Sequence, residues 1–337
     1  MPIFALLWKP FVIILAMTAI GVLLYLRVAR KLLILDSPNG RSSHNLPTPR
    51  GGGIVIALTF LVGLVYAQVT GSLALRDALA LGGAGTLAAG VGFIDDLRGL
   101  PATLRLFVHF LVAAWLLWWF SPLPIFPTGP VGTSLNALIS ALLLVWLLNL
   151  YNFMDGINGI ATLEGISTCL GILLVYAVSG HQLLGTAPIL LLASLGGFLF
   201  WNFPRAQIFM GDVGSGFLGA VLGGMCLQAS HRASSFFWCW AVLLGIFIMD
   251  ASLTLCRRLL DRKSPTDAHC SHAYQIFSRQ RGEHAPVSIA VFVINLLWLL
   301  PVALLIATHL LSGPLGLCIA YCPLLLIGLK VGAGVRN

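Results

Sequence analysis

The chain has 337 residues, of which 58% are hydrophobic and only 9% charged, against roughly a quarter charged in an ordinary soluble domain. Nineteen Lys and Arg against eleven Asp and Glu give a formal net charge of +8. This composition excludes a soluble core. The absence of period-2 alternation excludes a membrane barrel, so the expected fold is an all-α integral membrane protein.

The first apolar stretch, Ile3 to Trp8 followed by Phe11 to Leu26, is longer than a signal-peptide core and runs into Arg27, Arg30 and Lys31. It therefore reads as a retained helix. Later apolar segments predict helices near 54–70, 78–94, 106–120, 134–151, 161–179, 183–200, 215–229, 236–256, 286–308 and 314–331. With the first, near 4–26, this makes about ten or eleven transmembrane helices in a single polytopic domain spanning 1–337. The stretches 106–154, 165–204 and 285–329 contain no Asp, Glu, Lys or Arg, and each is long enough for two crossings at about 20 residues per helix.

The connecting segments alternate sides. Residues 27–53, 95–105, 152–160, 201–214, 257–285 and the tail fall on one side, and with Lys330 they hold sixteen of the nineteen basic residues. Only Lys9, Arg76 and Arg232 fall on the other. The basic bias predicts a cytoplasmic first side, an outward amino terminus and an inward carboxyl terminus. The positive charge is thus a topology signal, and no nucleic-acid partner is expected. Trp115, Trp118 and Trp119 near an outer boundary read as an interfacial belt. Six of the seven cysteines fall in apolar stretches, only Cys270 is in a polar one, and no C-x-x-C pair exists. Neither a zinc site nor a disulfide framework is indicated by them.

Nearly all the acids fall on the cytoplasmic side; Asp77 is the clear exception. Asp95, Asp96, Asp155, Asp212 and Asp250 lie at or near helix ends. A single such carboxylate would be an ordinary solvated loop residue, but several on one face in Gly/Asn-rich settings mark a site. Asp95-Asp96 places two carboxylates side by side where an apolar helix emerges, so one is held more basic or the two share a cation. Asn149, Asn152 and Asp155, spaced by three, share one face if helical, with Gly156 and Gly159 opening the backbone. In Phe209-Met-Gly-Asp212-Val-Gly-Ser215 a carboxylate stands in a glycine turn before a helix. The amides there suit phosphate and the carboxylate suits Mg²⁺. Basic or imidazole-bearing loops carry His44, Arg50 and the pair His269-x-x-His272. H-x-x-H can bind zinc, with Asp267 or Cys270 as third ligand, but the basic setting favours an anion. His109 and His181 are expected to be structural.

The ordered set Pro49-Arg50-Gly-Gly-Gly53, Asp95-Asp96, Asn149-x-x-Asn152-x-x-Asp155-Gly, Phe209-Met-Gly-Asp212-x-Gly-Ser215 and His269-x-x-His272 resembles the polyprenyl-phosphate N-acetylhexosamine-1-phosphate transferases, over almost the whole chain. The resemblance implies a bacterial inner-membrane enzyme whose catalytic loops are cytoplasmic. It implies that Asp212 is the Mg²⁺ ligand, with Mn²⁺ as an alternative ion, and that Phe209 stacks on uracil. By it, Asn149, Asn152 and Asp155 form the polar wall of the nucleotide, His269 and His272 contact the diphosphate, and Asp95 and Asp96 handle the polyprenyl phosphate. Family members often carry D-G-x-D-G where this chain has Asn158. That position faces the base, and an amide can both donate to and accept from uracil. The loop Ser271-His-Ala-Tyr-Gln275 looks more like the O-antigen initiators than the peptidoglycan lipid I-forming translocase.

The implied substrates are a UDP-N-acetylhexosamine and undecaprenyl phosphate in the bilayer; a homodimer is compatible with the sequence. The expected chemistry is phosphoryl transfer, either by direct attack of the lipid phosphate or through a phospho-enzyme on Asp95 or Asp96. Direct attack is favoured because the lipid phosphate is already largely ionised near neutral pH. A secondary transporter is the rival reading. Its polar residues would cluster near the bilayer midplane, whereas here they gather at one boundary.

Overall fold

Backbone polar groups in lipid must bond within their own segment, and the long apolar runs answer that demand as helices. The computed structural model describes residues 3–36, 47–127, 129–263 and 269–335. Its main helices are α1 (Ile3–Lys31), α2 (Gly53–Val69), α3 (Leu75–Arg98), α4 (Ala102–Phe120), α5 (Pro130–Met154), α6 (Ile160–Val178), α7 (Thr186–Asn202) and α8 (Asp212–Ser230). They are followed by α9 (Ser234–Leu243), α10 (Gly245–Leu260), α11 (Ala273–Arg281), α12 (Ala285–Ile294), α13 (Leu300–Ala307) and α14 (Gly313–Val331). A two-residue ladder pairs β1 (Leu35–Asp36) with β2 (Thr48–Pro49).

Among the described residues nine helical segments are long and apolar enough to cross a bilayer, and α9 with α10 forms a broken tenth, bent by 71°. The 17-residue α2 is a shorter apolar helix. The protein is therefore a multi-pass, all-α membrane protein, with nine or ten such spans among the described residues against the ten or eleven expected. Three features depart from uniform crossings. The segment expected as one helix over 236–256 breaks at Leu244, α12 and α13 are joined by a π-helical turn at Asn295–Leu299, and the polar stretch after His272 folds into the nine-residue α11.

Helix α8 is the axis of the bundle, buried on almost every side and packed along α3, α5 and α2. Its glycines allow backbones to touch, as small residues do between membrane helices. A Cβ on Gly53 would run into the Gly214 backbone, and one on Gly92 into the carbonyl of Asp212. The start of α8 is thereby seated directly on α3, and α3 carries Asp95 and Asp96 one turn further along. Branched aliphatic side chains cover the outward faces of α1, α2 and α4, as a lipid-facing surface requires.

Candidate active site

Helix α3 stays helical through Arg98, so Asp95 and Asp96 point about 100° apart. Asp95 turns toward α4: its Oδ2 accepts from Arg105 Nη1 at 2.8 Å and its Oδ1 from the Leu100 amide. Asp96 turns toward α8 and accepts the amides of Asp212 and Val213, each at 3.1 Å. It is a helix cap supplied by another helix, satisfying donors that a helix start leaves open. Arg50 donates to the Asp96 carbonyl and lies 4.0 Å from its carboxylate. The two neighbours, expected to act as a pair, are divided between separate partners.

Asp212 is the first residue of α8, placed by Gly211 in the left-handed region at φ 76°. A Cβ on Gly211 would also collide with the Asp96 carboxylate, so this turn requires glycine on two grounds. Asp212 Oδ1 accepts from Asn152 Nδ2 at 2.6 Å, and its Oδ2 lies 3.6 Å from Arg105 Nη1. One polar chain thus runs Asn152, Asp212, Arg105, Asp95. Asn149 donates to Val145 O and lies 3.2 Å from His109 Nδ1, so His109 orients a site residue. Asn149 and Asn152 share a face of α5 as expected. Asp155 does not: α5 ends at Met154, and Asp155, at φ −89° and ψ 52°, drops off the helix end. Burial first, then Asp212 and Asp96, hold its carboxyl well above the usual carboxylate range.

The facing wall is α11. Asp250 of α10 accepts the amides of Ala273 and Tyr274 at 2.8 and 3.0 Å, anchoring the start of α11. His272 Nδ1 lies 3.5 Å from Asp250 Oδ1, and its ring stacks on His269 with centroids 5.0 Å apart. His269 pairs with the Ser271 hydroxyl at 3.0 Å. Burial, then His272 and Arg258, pull its pKa down to about 4, so the imidazole is neutral near neutral pH. Tyr274 donates its hydroxyl proton to Phe153 O at 2.9 Å, tying α11 to the end of α5.

These walls enclose two cavities that share Asn152, Gly156, Asp212 and Gln275. The larger, about 450 Å³, is lined by Asp95, Arg105, His109, Asn149, His269 and His272 among apolar residues of α3 to α5. The smaller, about 210 Å³, is lined by Asp36, Arg50, Asp96, Asp155, Phe209 and Ser215. The structure therefore brings together Asp95, Asp96, Asn149, Asn152, Asp155, Phe209, Asp212, His269, His272 and Arg50. Asn158 lines neither cavity: its amide donates to Pro204 O at 3.2 Å, and its carbonyl accepts from Ser288. His44 lies outside the described residues, as does Asp267. Three residues of the site carried no assigned role in the sequence. Arg105 looked like one more cytoplasmic basic residue, Asp250 belonged to the cluster of cytoplasmic acids without a part of its own in it, and Gln275 was part of a loop. Only the convergence of distant segments gives them partners.

Four carboxylates (Asp95, Asp96, Asp155, Asp212) face two guanidinium groups (Arg50, Arg105) here. The excess of negative charge fits a divalent cation. Among the described residues no three His, Cys, Asp or Glu groups form a ready-made metal cage. A carboxylate with a shell completed by phosphate and water is how Mg²⁺ is commonly held.

The polytopic helical bundle thus carries a carboxylate-rich double cavity at one end of its helices. Residues 78–230, which contain α3 to α8 almost entire, match the family described as glycosyl transferase family 4. The chain is 30% identical over 294 residues to the decaprenyl-phosphate N-acetylglucosaminephosphotransferase of Mycolicibacterium smegmatis, covering 76% of this chain and 71% of the relative. It is 28% identical over 263 residues to the undecaprenyl-phosphate alpha-N-acetylglucosaminyl 1-phosphate transferase of Thermotoga maritima, covering 78% and 79%. It is also 30% identical over 279 residues to the phospho-N-acetylmuramoyl-pentapeptide-transferase of Pelotomaculum thermopropionicum, covering 73% and 81%. The chain belongs to the polyprenyl-phosphate N-acetylhexosamine-1-phosphate transferase family.

Proposed function

We propose that this protein transfers N-acetylhexosamine 1-phosphate from a UDP-sugar to undecaprenyl phosphate, releasing UMP. The observation that carries this reading is the position of Asp212 on the wall common to the two cavities. Two anionic substrates can meet there against one cation and two arginines. The smaller, more polar cavity takes the nucleotide, with Phe209 under the uracil and Asn152 and Asp155 at its polar edge. The larger takes the diphosphate and the lipid phosphate, beside Arg105, His269 and His272.

An oxygen of the lipid phosphate attacks the sugar-proximal phosphorus. A new P–O–P bond forms to the lipid, the P–O bond to UMP breaks, and the electron pair leaves with UMP. Asp212 would hold Mg²⁺, or Mn²⁺ in its place, and the ion would supply charge stabilisation to the transferring phosphoryl group. Arg105 is aimed at the same region by Asp95 and Asp212, and Arg50 stands over the smaller cavity. Both Asp95 oxygens are already engaged by Arg105 and the Leu100 amide, which supports direct attack by the lipid over a phospho-enzyme. The neutral His269 can donate an N–H to a phosphate oxygen without adding charge.

The sixteen-to-three distribution of basic residues supports a cytoplasmic site, an outward amino terminus and an inward carboxyl terminus. The loop Ser271–Gln275 supports initiation of a surface polysaccharide such as O-antigen. The matched relatives also include a peptidoglycan-type transferase, so the sugar is assigned by screening. Purified protein given UDP-N-acetylglucosamine, undecaprenyl phosphate and Mg²⁺ should release UMP, and omission of any one should stop release. The reverse reaction, labelled UMP entering UDP-sugar from the lipid product, should also proceed, because one phosphoanhydride is exchanged for another. UMP release that persists without lipid would replace transfer with hydrolysis.

A further inference from the structure

At the opposite end of α3 from Asp95, the chain builds a second polar cavity, of about 300 Å³, lined by Arg76, Asp77, Ser121, Gln228, His231 and Arg232. It lies where α3 begins and α4 and α8 end. Eighteen residues of helix, about 27 Å, separate Asp77 from Asp95, so nothing in the transfer site reaches it. It gathers two of the three basic residues that the sequence places on that side, together with the clear acidic exception.

The cationic groups are held in different ways. Arg76 Nε donates to Trp119 O at 2.7 Å, its Nη2 donates to the same carbonyl, and the guanidinium lies 6.0 Å from the Phe120 ring centroid. Its Nη1 carries no hydrogen bond among the described residues. Arg232 makes no side-chain hydrogen bond and no ion pair within 4.0 Å among the described residues; it feels the charge of Asp77, which lines the cavity with Gln228. His231 Nε2 is 3.1 Å from Ser121 O. One carboxylate cannot neutralise two guanidinium groups, so the cavity has positive charge to offer an anion.

Its depth indicates which anion. Trp115 and Trp119 pack edge to face at 5.9 Å beside it, and Trp118 is 84% exposed. Aromatic side chains of this kind sit at the headgroup level of a bilayer, and basic pockets between helices at that level bind lipid phosphates. An apolar cavity of about 100 Å³, lined by Leu123, Leu144, Leu227, Phe237 and Leu244, borders the same chain segments at 121–123 and 227–228. It offers a place for hydrocarbon next to the charge.

We propose that this cavity is a binding site for the phosphate of a lipid headgroup in the leaflet opposite the transfer site. The full-length protein in detergent, titrated with phosphatidylglycerol and read by native mass spectrometry without nucleotide, tests it independently of the transfer reaction. Arg232→Gln should weaken the retained lipid about tenfold, the loss of a charge-assisted hydrogen bond. Asp77→Asn should tighten it severalfold, a gain that a merely structural role would not produce. Both variants should keep wild-type UMP release. Equal retention in wild type and Arg232→Gln of both phosphatidylglycerol and undecaprenyl phosphate, or no gain with Asp77→Asn for either, overturns the site. Displacement of phosphatidylglycerol by an equal concentration of inorganic phosphate would make it a free-anion site and overturn the headgroup assignment. If undecaprenyl phosphate, in excess of one equivalent, shows the same Arg232 dependence while phosphatidylglycerol does not, the headgroup site stands with a polyprenyl lipid as its source.

Discussion

Two helices start against the site, and each is held at its first amides by a carboxylate from elsewhere in the chain. Asp96 holds Asp212 and Val213 at the start of α8; Asp250 holds Ala273 and Tyr274 at the start of α11. The chemistry is the same, yet the helices differ in what else keeps them in place. Helix α8 has 19 residues and is enclosed by α2, α3 and α5. Helix α11 has nine residues, below the length at which an isolated helix is stable, and rests on α10, α12 and α14. Loss of the cap should therefore misaim α8 without freeing it, and should free α11. On the proposed reading the first element sets where the reacting phosphoryl group would meet the cation; the second is a wall that can move.

The largest effect is expected at the point where that aim is used. Asp212→Asn should lower UMP release about 10³-fold, in the range of losing one transition-state charge contact, while the melting temperature in detergent stays near wild type. Near-normal Mg²⁺-dependent turnover would remove α8 from the centre of the mechanism. Asp96→Asn leaves one acceptor oxygen for two amides, a loss of about 1–2 kcal/mol of capping. It should cut kcat by about tenfold or more with KM little changed. Asp250→Asn should instead raise donor KM and open residues 269–285 to proteolysis, with kcat at saturation preserved. Identical signatures for the two variants would erase the distinction between aimed and movable helices.

A third expectation concerns pH. Asp155 keeps its proton at pH values where an ordinary carboxyl has lost it, because burial, Asp212 and Asp96 all disfavour its anion. A nearby divalent cation reverses that preference, so binding should expel a proton, and apparent Mg²⁺ affinity should rise with pH, up to about tenfold per unit for one proton displaced. Calorimetry in two buffers of different ionisation enthalpy reads the proton directly, and Asp155→Asn should reduce the slope. The smallest effect is expected for Tyr274→Phe, which deletes the bond to Phe153 O between α11 and α5. About 1 kcal/mol should appear as a severalfold rise in KM; a change in kcat alone would contradict a wall role.

Much of this arrangement was legible in the sequence, and the parts that were not have common causes. Hydropathy located the apolar crossings because lipid exposure imposes composition on each segment separately. It missed the break at Leu244 and the π-turn at Asn295, where bending is set by packing against other helices. The motif carboxylates stood out through their glycine and asparagine neighbours. Arg105, on α4, has no such surroundings; its place is defined by Asp95 on one side and Asp212 on the other. Asn158, which motif spacing assigns to the nucleotide, lines neither cavity. The turn after Asp155 carries its amide toward Pro204, away from both cavities.

The contact of Asp96 with the start of α8 joins residues 116 positions apart. As the chain is made, α3 must be delivered to the membrane with its two carboxylates long before the helix that one of them caps has been synthesised. Until then water or basic side chains must satisfy Asp96, which its location in the last turn of α3 permits and a midpoint location would not. The transfer site is thus completed late in biogenesis, when α8 slides its glycine face against Gly92 and Gly53. An enzyme assembled this way acquires its Gly211–Asp212 turn and its central helix in one docking event.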